Sequence, residues 1–576
     1  MTFALARLHR TALVAATFLA APAAIAQTAT LALINGHVVT VDSAKPEAEA
    51  VAIAGERILA VGTNEEIRRH IGTTTRVMDV GGRLVIPGFI EGHGHLLGLG
   101  DTRRKLDLTT ARTWDEIVAR VAAATRSVPR GTWVIGYGWH QEKWDRTPTP
   151  SVEGYPVHAA LSAASPDHPV LLEHASGHAS FVNGVALRLA GITDATRNPA
   201  GGEIVRDPTG AATGVLRESA QDLADSAIAR ARAGSTRAQR EAEWRQLVEL
   251  AGADALAKGV TSFHDAGASF DQIDVFRKMA DERKLPLRLY SMVRFEPLAR
   301  MDSLLGRYRM IGHGGGFLTV RTIKRQVDGA LGSHGAWLLE PYADLPRSTG
   351  LALEQPASLE RVAALATKHG YQLATHAIGD RANREVLDVY RKAARAGADG
   401  SSLRWRIEHA QHVEPADVAA FKRLGVIASM QGIHTISDAP WLAGKLGRER
   451  AERESYLFRS LWDAGVVVTN GTDAPVEDVN PIPSFYGMVA RVAKDGRVFV
   501  PAQRLTRAEA LRAYTLNNAY ASFQERELGS LTPGKYADVV VMSKDIMRIP
   551  EREIPTAQVD YTIVAGTLRY RREATP

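Results

Sequence analysis

Eight short apolar runs, each leading into a polar residue and alternating with helix-like segments, constrain this 576-residue chain more than any other feature. They read LVIPGFI, VTSFHD, LRLYSMVRF, LTVRTIKRQVD, YQLATHA, RWRIEHA, GVIASMQ and GVVVTNGTD. Strand and helix signals that alternate in this way argue for a parallel sheet of βα units. Eight such units close into a (β/α)8 barrel. Helix starts support the count: Thr113-Trp114-Asp115-Glu116 and Thr506-Arg507-Ala508-Glu509 read as capping boxes. Glu414-Pro415 puts proline at the first position of another helix.

Five of the eight runs reach residues that can ligate a metal: His93 and His95 in sequence after the first, then Lys324, His376, His409 and Asp473. Residues i and i+2 of a strand share a face, so His93 and His95 can hold one cation together. Active sites of such barrels lie at the C-terminal ends of the strands, where all six residues fall. A lone His-x-His is as readily a core or surface pair, and Asp473 alone could be a helix cap; the shared location argues for one metal site. Cysteine is absent, so disulfides and thiolate sites are excluded, and zinc would have to use imidazole, carboxylate or a modified lysine.

The rest of the chain frames that barrel. Strand-like runs at LALINGHVVTVD, AVAIAGERILAVG and RVMDVGGRLVI return in texture at ADVVVMSKD and VDYTIVAGTLRYRR. The two ends, 28–86 and 520–572, are therefore expected to build one composite β-sandwich, with the catalytic barrel over 87–519 between them. The connection between the first two barrel strands is far longer than the roughly 2–6 residues usual for a βα loop. It is expected to form an inserted subdomain, about 100–258, over the barrel mouth. A charge of +6 over 576 residues, without a run of five Lys or Arg, gives no support for nucleic-acid binding. Arg7 and Arg10, the apolar stretch Thr11 to Ala20 and the Ala24-Ile25-Ala26 site read as a cleavable secretory signal over 1–26. The mature protein is expected to be soluble and periplasmic or secreted, acting on a small molecule.

The segments PGFIEGHGH, DGALGSHGAWLLEPYAD, THAIGDRAN, IEHAQH, GTDAPVEDVNP and GSLTPGKYADVVV give the chain its resemblance to the amidohydrolase superfamily. Within it the chain is similar to the amidohydrolase-3 branch, the YtcJ-like group related to N-substituted formamide deformylases. The resemblance implies that His93, His95 and Asp473 bind the more buried of two metals, zinc by the ligand types, and His376 and His409 the second. Lys324 would bridge both as a carbamate formed with carbon dioxide. Burial beside other cations lowers a lysine pKa and exposes the neutral amine this requires; pairing with Asp328 is the alternative. The lineage is compatible with a homodimer.

These ligands imply a metal-lowered water pKa, attack on an amide carbonyl, and Asp473 moving the proton to the leaving amine. Trp139 and His140 (GYGWHQEKW) and His178 (EHASGHASFVN) are candidate substrate contacts from the insertion, His178 towards a carbonyl or as a structural histidine. Asp328 follows Lys324 as a residue that could orient a ligand. His334 stands where this branch often has arginine, which bears on specificity. The expected reaction is hydrolysis of an N-substituted amide or N-acyl amine. The alternatives are an ester, lactone, carbamate or cyclic amide at the same site, a one-metal deaminase, or a non-catalytic scaffold.

Overall fold

The computed structural model describes residues 27–397 and 400–573, so the signal expected over 1–26 lies outside the described residues. Eight parallel strands form the barrel: β1 (Phe89–Gly94), β2 (Val260–Ala268), β3 (Arg288–Val293), β4 (Leu318–Gln326), β5 (Gln372–Ala377), β6 (Arg406–His409), β7 (Ile427–Gln431) and β8 (Val468–Gly471). They neighbour one another in chain order, as right-handed βα units do. Strands covered on both faces read as near-continuous apolar runs, and β1, β3 and β5 are buried at every position. The helices around them bury one stripe. In Phe270–Asp281, begun by a Ser269–Gln272 capping box, the buried residues include Ile273, Phe276 and Met279.

The first apolar run is divided between two domains. Leu84–Pro87 pairs antiparallel with Val539–Met542, and only from Phe89 does the chain enter the barrel. Gly88 makes the crossing because a Cβ there would lie 2.1 Å from Thr261 Oγ1. The strand Val539–Met542 thus joins the N-terminal segment in a six-stranded sheet, with Val559–Val564 and Thr567–Arg571 beyond it. A four-stranded sheet containing Leu31–Ile34 and Ala50–Ala54 packs on it through a core that includes Leu33, Val51, Val85, Val539 and Ile563.

Between β1 and β2 the chain builds a six-stranded sheet running from Leu106–Asp107 at one edge to Gly202–Arg206 at the other. It has its own cores, one around Trp139, Trp114 and Phe181. The last part of the span expected for this insertion, 100–258, holds two helices with different partners. Gln221–Ala231 belongs to the insertion's sheet, packing through Ala224. Thr236 then caps Arg237–Ala257, whose Val248, Ala251 and Ala255 enter the barrel core. That second helix is part of the barrel's outer ring, because its apolar stripe meets Leu96, Leu99 and Phe263 there.

Candidate metal centre

Barrel closure places the first metal-ligand types against the last. Asp473, two residues past β8, donates its N–H to the His93 carbonyl at 2.8 Å, and His95 N–H reaches the Ala474 carbonyl at 2.6 Å. Gly94 between the histidines keeps the strand close to its neighbours: a Cβ there would lie 2.6 Å from Phe263 Cζ. The side chains converge accordingly. Asp473 Oδ1 lies 3.3 Å from His95 Nε2 and 3.6 Å from His93 Nε2. The three offer ligand atoms all within 4.8 Å of one another. Lys324 Nζ is 3.5 Å from His93 Nε2. The His409 ring centre stands 4.8 Å from that of His93 and 4.5 Å from that of His376. All six sequence-chosen residues therefore meet in one cluster.

Two of the imidazoles have their ring nitrogens assigned by neighbours. His93 Nδ1–H donates to Glu408 Oε2 at 2.5 Å, and His409 Nδ1–H donates to Gln431 Oε1 at 2.8 Å. Each Nε2 is left unprotonated to serve as a ligand, the arrangement that metal-binding histidines need. Glu408 is fixed in turn by Arg406, Nε to Oε1 at 2.6 Å and Nη2 to Oε2 at 2.8 Å. Arg406 also donates to the Gly92 carbonyl at 2.8 Å and Ser429 Oγ at 2.7 Å. Burial raises the Glu408 carboxyl, but the Arg406 guanidinium and His93 outweigh it and hold it below the usual range.

Burial governs the remaining titrations. It lowers His93 to about 4, with Lys324 adding to the effect, and brings His376 and His409 well below the ordinary imidazole value. It also lowers Lys324 to about 7, helped by the nearby Arg294 guanidinium. Asp473 goes the other way: burial opposes ionisation, yet the close imidazoles of His95, His409 and His93 hold it well below the carboxylate range. Neutral imidazoles around an ionised carboxylate are the protonation states a cation requires.

The donor set fits a divalent metal. Asp473 Oδ1 and His376 Nε2 are buried without a hydrogen-bond partner among the described residues, a costly condition that an ion relieves. Imidazole and carboxylate donors suit zinc and neighbouring first-row metals. Asp473 (φ 58°) and His409 (φ 74°) sit in the left-handed backbone region, which costs of order 1–3 kcal/mol for such residues.

A cavity of about 480 Å³ opens above the cluster, with His95, Lys324, His376, His409 and Asp473 on its floor. The insertion supplies His178, whose ring centre is 5.2 Å from that of His376 and whose Nδ1 is 2.8 Å from Glu218 Oε2. Burial lowers His178, but the Glu218 carboxylate more than compensates and its pKa is raised. Other sequence-chosen contacts lie elsewhere. Trp139 is in the insertion's core, donating Nε1–H to the Leu172 carbonyl at 2.8 Å, and is not on the cavity wall. His140 lies against His174, with ring centres 4.4 Å apart and planes tilted by 45°, beside a smaller hollow. Asp328 lies behind the cavity wall, accepting the N–H groups of Trp337, Ile378 and Gly379 at 2.8–3.0 Å and standing 3.4 Å from His376 Nε2. His334 is turned away to Asp344 and Lys445, at 3.0 and 3.1 Å.

Residues the sequence did not single out are Arg294, which lines the cavity just past β3, and the Glu408–Arg406 pair. An Arg-x-Glu on one face of a barrel strand is the signal for the pair, since a buried charge must be matched. Arg294 carried no such mark.

The barrel, the histidine–aspartate cluster at its C-terminal end and the cavity above define a metal-dependent hydrolase. The amidohydrolase family model matches residues 76–570, and the chain belongs to that family, in its amidohydrolase-3 branch. It is 35% identical over 554 residues to the protein LONG AFTER FAR-RED 3 of Arabidopsis thaliana, covering 94% of this chain and 92% of the plant protein. It is 32% identical over 563 residues to the N-substituted formamide deformylase of Arthrobacter pascens, covering 94% of this chain and 98% of that enzyme. An uncharacterized metal-dependent hydrolase from Pyrococcus horikoshii OT3 superposes with a TM-score of 0.71 at 25% identity, over 91% of this chain and 99% of that one.

Proposed function

We propose that the protein is an exported hydrolase of a small, non-peptide C–N substrate, an N-substituted amide or N-acyl amine. The observation that carries this reading is Asp473, an ionised carboxylate among three imidazoles at the floor of a cavity of about 480 Å³. The similarity to a formamide deformylase over nearly the whole of both chains supports it.

His93, His95 and Asp473 would hold one divalent ion, zinc by donor type, and His376 and His409 a second. Lys324, buried beside His93 Nε2, would join both sites as a carbamate. A bound ion supplies Lewis-acid polarisation of the carbonyl and a water pKa lowered towards about 7. The residues do the rest. Asp473 accepts the proton of the attacking water and delivers it to the leaving nitrogen. His178, oriented by Glu218, donates a hydrogen bond to the substrate carbonyl. Glu408 and Gln431 keep the His93 and His409 Nε2 atoms facing the cluster.

Metal analysis of the mature protein, purified without chelator and with bicarbonate present, should find close to two ions per chain. A count near one would remove the Lys324 bridge and favour deamination. Asp473→Asn should abolish amide turnover while much of the metal stays bound, and near-normal activity in that variant would take Asp473 out of the reaction.

A further inference from the structure

A second, much smaller hollow opens beside Asp473, of about 50 Å³ against about 480 Å³ for the main cavity. Ala175, Ser176, His178, Asp473 and Val476 wall both. Asp473 therefore borders both spaces. The far side of the hollow is the helix Gly432–Leu446, which brings His434, Asp438 and Trp441. The hollow has about a tenth of the main cavity's volume, so it takes the smaller of a substrate carbonyl's two substituents.

Its polar lining divides into carboxylates that have partners and donors that have none. Asp438 is already supplied, accepting from Tyr456 Oη at 2.6 Å, Gln411 Nε2 at 3.2 Å and Ser437 Oγ at 3.2 Å. Glu477 lies 3.6 Å from Lys143 Nζ. By contrast, Trp441 Nε1 and His434 Nε2 are buried without a partner among the described residues, and His434 is only 7% exposed. An indole N–H can only donate, and a buried donor left unpaired is costly. The Trp441 N–H therefore lacks an acceptor, and so does His434 in its Nε2–H form.

The outer part of the main cavity carries the carboxylates of Glu173, Asp222 and Asp225, of which Glu173 is paired with Lys105 Nζ at 2.7 Å, while Arg294 and Lys324 lie nearer the cluster. Hydrolysis adds water across the C–N bond: the acyl carbon takes the hydroxyl and the nitrogen takes the proton. An amine released at neutral pH becomes an ammonium ion, which those carboxylates attract.

We propose that the small hollow is the acyl subsite, taking a short acyl group that ends in a hydrogen-bond-accepting oxygen, such as glycolyl, while the amine half occupies the main cavity. This rests on the hydrolytic reading above. Trp441 closes the subsite and sets its length, and Trp441 with His434 selects the oxygen.

Calorimetric titration of the metal-loaded full chain with free acids tests this without requiring turnover. Glycolate and propionate differ by a hydroxyl in place of a methyl, and glycolate should bind about fivefold tighter, the worth of one net hydrogen bond. Hexanoate should bind at least tenfold more weakly than propionate. Trp441→Phe should erase the preference for glycolate over propionate; Trp441→Ala should admit hexanoate. His434→Leu, also reducing the glycolate preference, serves if the Trp441 variants fail to fold. Hexanoate binding as well as propionate, or an intact glycolate preference in the folded variants, overturns the subsite. Anilides and aryl esters of the same acids separate the two readings. Cleavage of esters alone would end the C–N assignment, yet the acyl ranking would still judge the hollow. Selectivity that follows the amine half instead of the acyl half overturns the assignment.

Discussion

His93 shows how far a metal ligand depends on its neighbours. Its Nε2 faces the cluster because Nδ1–H is committed to Glu408, and Glu408 is committed to Arg406. Glu408→Gln keeps an acceptor but removes the charge that makes His93 a good donor. Metal affinity should fall about 10–100-fold, read by competition with a chromophoric chelator. Stability should fall by about 3–5 kcal/mol because Arg406 stays buried without its counter-charge, read by urea unfolding. The double variant Glu408→Gln/Arg406→Gln should recover stability but not affinity. Wild-type affinity in either variant would show that the His93 orientation does not depend on the pair. At this scale the metal-ligand types were legible, because ligands must sit at strand ends in a barrel. The contacts were not: nothing in GYGWHQEKW reveals that the Trp139 indole finds the Leu172 carbonyl inside the insertion while His140 turns to a different hollow.

At the scale of elements, β1 carries the tightest constraint. Its two histidines are presented by a strand pressed between β2 and the segment after β8, with the intervening Gly94 against Phe263. Gly94→Ala forces a methyl group into that contact, and overpacking of this kind costs about 1–3 kcal/mol. A lowered melting temperature together with weaker metal binding is the expected result; unchanged metal binding would mean that the strand shifts without moving its histidines. Strand number and order were readable from the apolar runs, but the ends of elements were not. LVIPGFI reads as one strand because both halves are buried and apolar, and Pro87-Gly88 is its one mark of the break between Leu84–Pro87 and β1. The helix Arg237–Ala257 was likewise placed with the insertion by chain position, whereas its buried residues pack on the barrel.

Across the whole molecule, the barrel and the terminal sheets are joined by buried charge as well as apolar surface. Arg288 of β3 pairs with Asp538 beside the C-terminal sheet, Nε to Oδ2 at 2.7 Å, and lies 3.8 Å from the centre of the Tyr536 ring. Asp538 also accepts the Ala565 N–H at 2.8 Å. Arg288→Ala leaves that carboxylate buried without its cation and should cost about 3–5 kcal/mol. Chemical denaturation should show the loss, and a change below 1 kcal/mol would mean that the two units are held together by apolar packing alone. The sequence by itself determined the barrel, its family and the metal-ligand types, because periodicity and strand-end chemistry are local and repeat eight times. Only the tertiary structure decided which wall each insertion residue joins, how Glu408 and Gln431 assign the histidine nitrogens, and that Asp473 stands between a large and a small hollow. Those outcomes depend on side chains brought together from positions hundreds of residues apart, such as His93 and Glu408, and no local pattern records such a meeting.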